Sequence, residues 1–408
     1  MKMSLSDLRS QFPALSCKVY GKPLVYLDNA ATAQRPRSVV ETWKARVNGS
    51  NANIHRAVHR LAVSATDAYE ETRDAVCDFL NAASREEIVF TSGATASINL
   101  VAFSYGEAFV HEGDEIIVSV EEHHSNIVPW QLLCERKKAV LKVLDINENG
   151  VLTVDGLEKL LSSSTRLVAI SHISNVLGLV NPVREIVDVC HRHHVPVLVD
   201  GAQGVVHETV DVQALGCDFY AFSGHKLYAA TGTGVLYGKK EWLDRMPPFM
   251  SGGEMINSVS FKGTSFAPLP QKFEAGTQNF NAVPTWVPAM AFARACRENA
   301  EVAREQAAIL QYVFEKLTNN QLITLYGTPL EAKIPLFSFT VKGAHHEDLA
   351  LILDKMGIAV RSGQMCAEPL MDRLGVTGLL RASFAPYNTL EEAEYFIKSL
   401  NKAIDMLI

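Results

Sequence analysis

Short apolar runs alternate with helix-like segments through the middle of the chain. Runs this short, set between longer amphipathic segments, are typical of buried strands. Their regular alternation with helical patterns and short connections predicts an α/β fold, with a mostly parallel sheet covered by helices. The runs occupy residues 88–90, 115–118, 139–143, 167–170, 197–199 and 219–222.

The pattern changes after Pro284 and Pro288. A helix is predicted over 289–317, and at 1.5 Å per residue it would be about 40 Å long, enough to run from one domain into another. A strand at 336–340 and helices near 346–356 and 390–406 then predict a smaller α+β domain. The chain length of 408 residues also favours two domains, a large one at 21–290 and a small one at 291–408.

Chemically active side chains directly follow two of the predicted strands. Asp200 closes the run at 195–199, and Lys226 lies in a turn that follows the run at 218–222. Because α/β sheets bind ligands just past the carboxyl ends of their strands, we expect the two residues at one site. A lysine can form a Schiff base with pyridoxal phosphate, and a carboxylate can keep the ring nitrogen protonated. Taken alone, Lys226 could instead be a surface lysine, and Asp200 could instead cap a helix.

The neighbours of this pair offer further groups to the same cofactor. Gln203 can hydrogen-bond the phenolic oxygen of the ring. Ser223 and His225 can donate to a phosphate from the same turn as Lys226. One short segment would therefore serve both ends of pyridoxal phosphate.

A second phosphate-binding signal lies upstream, in Gly93-Ala94-Thr95. It follows the run at 87–90 and precedes a helical pattern from Ala96, and the free amides at a helix start can hold an anion. Such a turn is often only an N-cap. Its occurrence in the same chain as the Lys226 turn favours phosphate binding.

Seven motifs, in order, resemble the SUF-type (group II) cysteine desulfurases of the class V aminotransferase family, of which selenocysteine lyase is a near relative. The resemblance runs from about residue 10 to the C-terminus. The motifs are Leu27-Asp28-Asn29-Ala30-Ala31-Thr32, Thr91-Ser92-Gly93-Ala94-Thr95, Glu122-His123-His124-Ser125-Asn126, Asp200-Gly201-Ala202-Gln203, Ser223-Gly224-His225-Lys226, Gly252-Gly253-Glu254-Met255-Ile256 and Phe273-Glu274-Ala275-Gly276-Thr277.

The resemblance implies a fold-type I pyridoxal phosphate enzyme with a seven-stranded sheet, working as a homodimer. Residues 1–20 would pack on the small domain. His123 would stack on the cofactor ring and act in proton transfer, and Asn175 would address the phenolic oxygen and the substrate. Thr277 would reach the phosphate of the other subunit. His55 would border the substrate.

A cysteine loop near the C-terminus would select the reaction. In the family, the residue matching Cys366 accepts sulfur from L-cysteine as a persulfide, leaving L-alanine. Arg361 can favour the reactive thiolate. The usual family sequence has two histidines before the cysteine, but here Gln364 and Met365 replace them, and neither can carry a proton at neutral pH.

Arg381 is the best candidate for binding the substrate carboxylate, because a guanidinium can hold a carboxylate with two parallel hydrogen bonds. A surface salt bridge is its alternative. Three other functions share parts of the pattern. Selenocysteine lyase can dispense with the acceptor cysteine, an aminotransferase or kynureninase-like enzyme has no use for the cysteine loop, and a scaffold for iron-sulfur assembly would catalyse slowly without a sulfur-accepting partner protein.

Composition limits the remaining classes. The net charge of -7 argues against general nucleic-acid binding, which favours basic surfaces. No uncharged run approaches the roughly 18 residues of a membrane helix, and the N-terminus has no apolar signal core. Seven cysteines without a CxxC pair fit a reducing compartment and predict neither structural zinc nor another metal site. We therefore expect a cytoplasmic enzyme.

Overall fold

The computed structural model describes residues 5–408, so residues 1–4 of the predicted N-terminal segment lie outside the described residues. Its α-helices are Leu5–Ser10, Arg37–Gly49, Arg60–Leu80, Ala94–Phe109, Val128–Lys137, Val154–Leu160, Val183–Arg192, Gly204–His207, Val212–Leu215, Lys240–Arg245, Trp286–Arg297, Ala300–Thr318, His346–Lys355, Glu368–Leu374 and Leu390–Leu407. Short 3-10 helices occupy Pro13–Ser16, Arg85–Glu87, His124–Asn126, Gln271–Phe273, Val283–Thr285 and Leu330–Ala332.

A seven-stranded sheet forms the centre of the larger domain. Its strand order across the sheet is Ile88–Thr91, Gly234–Gly238, Phe219–Ser223, Val197–Asp200, Thr165–Ser171, Glu115–Ser119 and Val140–Leu144. The second strand in this order runs antiparallel to both of its neighbours, and every other pairing is parallel. This is the mostly parallel sheet expected from the alternating apolar runs.

Both faces of the sheet are buried at its central strands, whereas the edge strand Val140–Leu144 is partly exposed. Side chains that alternate along a strand point to opposite faces. Val168 and Ile170 accordingly belong to one apolar cluster, and Leu167 and Ala169 to another. Strands buried on both sides read as continuous apolar runs, which is why they could be located from the sequence.

A four-stranded antiparallel sheet forms the smaller C-terminal domain, in the order Ile323–Tyr326, Leu336–Val341, Leu379–Ser383 and Arg361–Gly363. A separate apolar core fills the space between this sheet and helices that include Ala300–Thr318 and Leu390–Leu407. Outside this sheet, the two-residue strand Val25–Tyr26 pairs in parallel with Ile358–Ala359. Two further pairings lie outside the sheets: Lys18–Val19 with Lys22–Pro23, and Ile256–Ser260 with Gly263–Phe266, which forms an exposed hairpin.

The single helix predicted over 289–317 is wrong. The structure has two helices there, Trp286–Arg297 and Ala300–Thr318. Asn299 separates them in an extended conformation, and its side chain accepts a hydrogen bond from Glu301 N at 2.9 Å. An asparagine favours such a capping position over a helix interior, so it starts a new helix and does not continue the old one.

The N-terminal segment contacts both parts of the molecule. Phe12 packs against Tyr228 and Phe292, and also against Tyr387 near the C-terminus. Arg9 donates to the Tyr387 carbonyl. The domain limits at 20 and 290 stay predictions. Among the helices of residues 5–408, none is at once long and apolar enough to cross a bilayer.

Candidate active site

A cavity of about 180 Å³ lies where the carboxyl ends of the central strands face the small domain. Eleven of the residues predicted for the site line it: Ala94, Thr95, His123, Asn175, Asp200, Ser223, His225, Lys226, Arg361, Cys366 and Arg381. Five further residues complete the lining: Ala30, Ala31, Ser125, Ala202 and Met365. The fold thus brings the lysine, the acid, the arginine and the cysteine to one cavity.

Lys226 is held by the turn that follows the strand Phe219–Ser223. The carbonyl of His225 accepts hydrogen bonds from Ala33 N at 3.1 Å and from the Thr32 hydroxyl at 3.2 Å, which fixes the turn against the N-terminal part of the domain. Burial lowers the pKa of Lys226, and the opposing attraction of Asp200 offsets this only in part. A lowered pKa favours the neutral amine, the form that attacks an aldehyde.

Asp200 ends the neighbouring strand and lies almost fully buried beside Lys226. Burial raises the pKa of its carboxyl, and the charge of Lys226 acts in the opposite direction. One oxygen, Oδ1, accepts from Ala202 N at 2.9 Å. The backbone after Asp200 packs directly against Tyr220, which only glycine permits, because a Cβ on Gly201 would lie 1.9 Å from Cε1 of Tyr220. The site therefore holds a positioned carboxyl that a cationic ring nitrogen would keep ionised.

The turn before the helix Ala94–Phe109 forms the opposite end of the cavity. Ala94 N donates to the Ser223 hydroxyl at 2.8 Å, which joins the two segments expected to bind phosphate. A Cβ on Gly234 would lie 2.4 Å from the Gly93 Cα, so glycine lets the turn pack directly against the neighbouring strand. The next amides of the first turn have no partners within the helix, and the helix dipole favours an anion at this end.

His123 projects into the cavity from the turn before His124–Asn126. Burial is the main reason that its pKa falls to about 3, with the positive charge of Lys226 acting in the same direction. Its Nδ1 accepts from Ser125 N at 3.1 Å, which places the ring proton on Nε2. The imidazole is therefore neutral at physiological pH.

The carboxyl of Glu122 holds this turn in place through hydrogen bonds. This structural role was not predicted from the sequence. The buried carboxyl accepts from Ser171 N at 2.9 Å, from the Ser171 hydroxyl at 2.6 Å and from Asn126 Nδ2 at 2.7 Å. Burial raises the pKa of Glu122 to about 7 and that of its neighbour Glu121 to about 8. Two consecutive acids, Glu122 at the start of the motif and Glu121 just before it, were the available signal.

Arg381 enters the cavity from the small domain. Its Nη1 donates to the Asn175 carbonyl at 2.7 Å, and Nη2 lies 3.4 Å from Asp28 Oδ1. Its Nε is buried and has no hydrogen-bond partner among residues 5–408. Such an unpaired donor on a buried cation is costly unless a ligand uses it. This group is therefore suited to a substrate carboxylate, and the salt-bridge alternative describes only part of its contacts.

The Asn175 turn is held by three side chains of the small domain. Besides Arg381, which binds the Asn175 carbonyl, the Ser338 hydroxyl donates to the Val176 carbonyl at 2.6 Å. Lys333 Nζ donates to the Leu177 carbonyl at 2.6 Å. Three consecutive carbonyl groups are thus satisfied across the domain junction. The contacts fix Asn175, whose Nδ2 donates to the Met365 carbonyl at 2.9 Å.

Cys366 is exposed at the rim of this cavity, between two buried residues. Met365 and Cys366 both have φ of +56°, a left-handed conformation that costs a non-glycine residue roughly 1–2 kcal/mol. The Met365 side chain is packed in the apolar core, where a histidine would bury a polar ring. Gln364, by contrast, is exposed and donates to Glu368 Oε1 at 3.2 Å.

Three of the predicted site residues do not line this cavity. Gln203 donates to the Ala30 carbonyl at 2.9 Å, and it borders a narrow neighbouring space that also reaches Lys226. Thr277 lies in a separate groove. His55 is paired with Glu70 at 3.0 Å. Arg361 does line the cavity, but its Nη1 lies 3.6 Å from Asp28 Oδ2.

Except for Met365, the lining residues that sequence reasoning did not place at the site are small or polar. Ala30 and Ala31 lie within the first quoted motif, Ser125 in the third and Ala202 in the fourth. Alanine offers no functional group, so only its position in a motif could identify it. Among residues 5–408, no group of three or more histidine, cysteine or carboxylate residues is arranged to hold a metal ion.

The model for the aminotransferase class-V family matches residues 25–396. The chain belongs to this family. It is 43% identical over 407 residues to a probable cysteine desulfurase of Vibrio cholerae and 44% identical over 408 residues to a cysteine desulfurase of an Enterobacter species, covering all of both proteins. The crystal structure of the cysteine desulfurase CsdA (S-sulfonic acid) from Escherichia coli matches with a TM-score of 0.90 and 38% identity, over 99% of each chain.

Membership confirms the predicted family, fold class and cofactor. Class-V aminotransferases depend on pyridoxal phosphate, and the cavity fits that group on its own evidence. A lysine of lowered pKa stands beside a buried carboxyl, and a helix start lies at the other end. The cavity thus offers an amine for the Schiff base, a carboxyl for the ring nitrogen and a helix start for the phosphate.

Proposed function

We propose that this protein is a pyridoxal phosphate-dependent cysteine desulfurase, which converts L-cysteine to L-alanine and leaves the sulfur on Cys366 as a persulfide. The observation that carries the proposal is the meeting of Lys226, Asp200, Arg381 and Cys366 at one cavity. An aminotransferase would need the first three but not a cysteine there. The full-length similarity to cysteine desulfurases supports the same reaction.

The cofactor, when bound, withdraws electrons from the substrate α-carbon and so makes its proton removable. Lys226 would bind it covalently and Asp200 would hold the ring nitrogen. Ser223, His225 and the helix start at Ala94 and Thr95 would hold its phosphate, whose charge suits the free amides there. His123 would cover one face of the ring. Asn175 and Gln203 are the candidates for the phenolic oxygen.

Arg381 would orient the substrate through its α-carboxylate. The guanidinium is anchored at Nη1 by the Asn175 carbonyl, while its buried Nε is without a partner in the described chain. Burial lowers the pKa of Arg381, and the nearby Asp28 opposes this effect, so the group stays cationic. A carboxylate held there lies in the same cavity as the Lys226 amine, which would move the α-proton.

Cys366 would then accept the sulfur. Its thiolate attacks the sulfur of the substrate, an S–S bond forms, and the C–S bond breaks with its electron pair passing to the substrate carbon. That carbon takes up a proton to give alanine. The sum is Cys366-SH plus L-cysteine giving Cys366-S-SH plus L-alanine, so no external oxidant is needed. Arg381 and Lys226 both lie near enough to interact electrostatically with this thiolate.

A second copy of the chain would complete the enzyme. Thr277 lies outside the cavity of its own subunit, which supports the proposal that it serves the phosphate of the other subunit. The helix Arg37–Gly49 also presents an exposed apolar face, formed by Val40, Trp43 and Val47. Exposed apolar faces of this kind are typical of subunit interfaces.

The persulfide would pass to a sulfur-accepting protein of an iron-sulfur assembly system, and Gln364 and Met365 would make unaided transfer slow. All seven cysteines are unpaired, as expected in a reducing compartment, which supports a cytoplasmic location. L-selenocysteine is a possible second substrate, because its weaker carbon-chalcogen bond needs less help from an acceptor.

The test is to incubate the purified protein with L-cysteine and a reductant, and to measure alanine and sulfide together. We expect equal amounts of both, and a persulfide on Cys366 by mass spectrometry after one turnover without reductant. Pyruvate in place of alanine, or a persulfide mapped to another cysteine such as Cys134, would contradict the proposed reaction.

A further inference from the structure

The loop that carries Cys366 has a conformation that its own sequence does not favour. Met365 and Cys366 are consecutive and both left-handed, with φ of +56°. Neither is a glycine or an asparagine, the residues that adopt this region readily. Contacts from elsewhere in the fold must therefore hold the loop in place.

The helix that follows the loop also begins without a cap of its own. Glu368–Leu374 starts after Ala367, and the N-cap position provides no side-chain hydrogen bond. The first amides of a helix have no partners within the helix and need acceptors from outside. Alanine at the N-cap cannot supply one.

His124 supplies the missing acceptor from the large domain. Its Nε2 accepts from Glu368 N at 3.0 Å. Its backbone N donates to the Cys366 carbonyl at 2.7 Å. These two bonds lie on either side of Ala367, which is fully buried, so a single residue of the large domain grips the chain directly after the reactive cysteine.

The bond to Glu368 also defines the state of the His124 ring. An Nε2 that accepts from a backbone amide carries no proton, so the ring proton lies on Nδ1. This is the opposite arrangement from His123, whose Nδ1 accepts from Ser125 N. Two adjacent histidines are thus assigned to different tasks: His123 lines the cavity, and His124 contacts the loop.

We infer that His124 is a positioning residue for sulfur transfer, which acts through Cys366 by holding the strained loop over the cavity. The inference rests on the proposed desulfurase function. Loss of the imidazole would leave Lys226 and Arg381 untouched, because the ring bonds Glu368 N, whereas Arg381 bonds the Asn175 carbonyl and Asp28. It would free the first amide of the helix and loosen the chain directly after Cys366, while the backbone bond from His124 N to the Cys366 carbonyl would remain.

The experiment compares His124→Ala, His124→Gln and the parent holoenzyme. A glutamine side chain can place an acceptor oxygen near the position of Nε2. In His124→Ala we expect kcat for alanine formation to fall about tenfold, as the loss of one helix cap permits. The KM for L-cysteine should change less than about twofold, because the carboxylate partner is intact. His124→Gln should recover most of kcat.

Hydrogen exchange supplies a measurement that does not depend on turnover. The Glu368 amide should exchange about tenfold faster in His124→Ala than in the parent, and near the parent rate in His124→Gln. His345→Ala is the matched control, since His345 also accepts from a first-turn amide, Glu347 N at 3.4 Å, in the helix His346–Lys355. We expect kcat of this control to equal that of the parent.

The outcomes separate the two proposals. An inactive parent would overturn the desulfurase function itself. An active parent with unchanged kcat in His124→Ala, or with unchanged Glu368 exchange, would overturn only the role of His124. A fall in kcat that His124→Gln fails to recover, together with loss of cofactor absorbance, would mean that the histidine serves general stability, and would also overturn the inference.

Discussion

The two walls of the active site are built in different ways. The wall with Lys226 and Asp200 consists of the ends of adjacent buried strands: Asp200 is the last residue of one strand, and Lys226 lies in the turn after the other. The wall with Cys366 is a strained loop of the small domain, and its conformation depends on His124 and Asn175 from the large domain. The first wall is fixed by local structure, whereas the second is fixed by contacts across the domain junction. Cofactor binding and sulfur transfer should therefore fail separately.

Removing the lysine should have the largest effect. Lys226→Ala removes the amine that binds the cofactor and moves the α-proton, so we expect loss of the yellow, covalently attached cofactor. Activity on L-cysteine and on L-selenocysteine should fall by at least about a hundredfold. Absorbance and borohydride reduction followed by peptide mapping check the attachment. Lys402→Ala, on an exposed helical position, is the control, and reducible pyridoxal on another lysine would refute the assignment.

Removing Cys366, the sulfur acceptor, should abolish sulfur transfer and leave cofactor binding intact. Cys366→Ala is expected to keep the cofactor and bind L-cysteine, but to release alanine at less than about one hundredth of the parent rate. Much of any activity on L-selenocysteine should remain. Cys17→Ala is the matched control, because Cys17 is the other exposed cysteine. Normal alanine formation by Cys366→Ala would overturn the persulfide mechanism.

The same contrast explains what the sequence could predict. Lys226 and Asp200 were predictable because an apolar run and the polar residue after it lie side by side in the chain. The bond between His124 and Glu368 joins residues 244 positions apart, and no local pattern reports it. The predicted helix over 289–317 failed for the opposite reason, because one local residue, Asn299, interrupts a pattern that otherwise continues. Only the resemblance to the family linked Cys366 to the lysine.

The hydrogen bonds from the small domain to the carbonyls of residues 175–177, called the clamp here, should couple the two walls. Ser338→Ala removes the donor to the Val176 carbonyl, and an unpaired buried carbonyl costs about 1–3 kcal/mol. We expect kcat to fall about threefold to tenfold with the cofactor retained, and the thermal midpoint to drop by a few degrees. Ser104→Ala is the control, because the Ser104 hydroxyl is buried and has no hydrogen-bond partner in the described chain. If Ser338→Ala and Ser104→Ala lowered kcat equally, the bond from Ser338 to the Val176 carbonyl would have no specific role in catalysis.

The smallest effect should come from Glu121, the buried acid next to Glu122, and it should depend on pH. Burial raises the pKa of Glu121 from 4.5 to about 8, so the folded protein keeps a proton there that the unfolded chain loses. Stability from this group is therefore present below about pH 4.5 and is lost as the pH rises toward 8. Glutamine keeps the acceptor used by Asn181 and cannot ionise. The thermal midpoint of Glu121→Gln should exceed that of the parent by roughly 1–3 °C at pH 8 and by less at pH 5. A difference between parent and variant that is the same at both pH values would show that Glu121 does not titrate in this window.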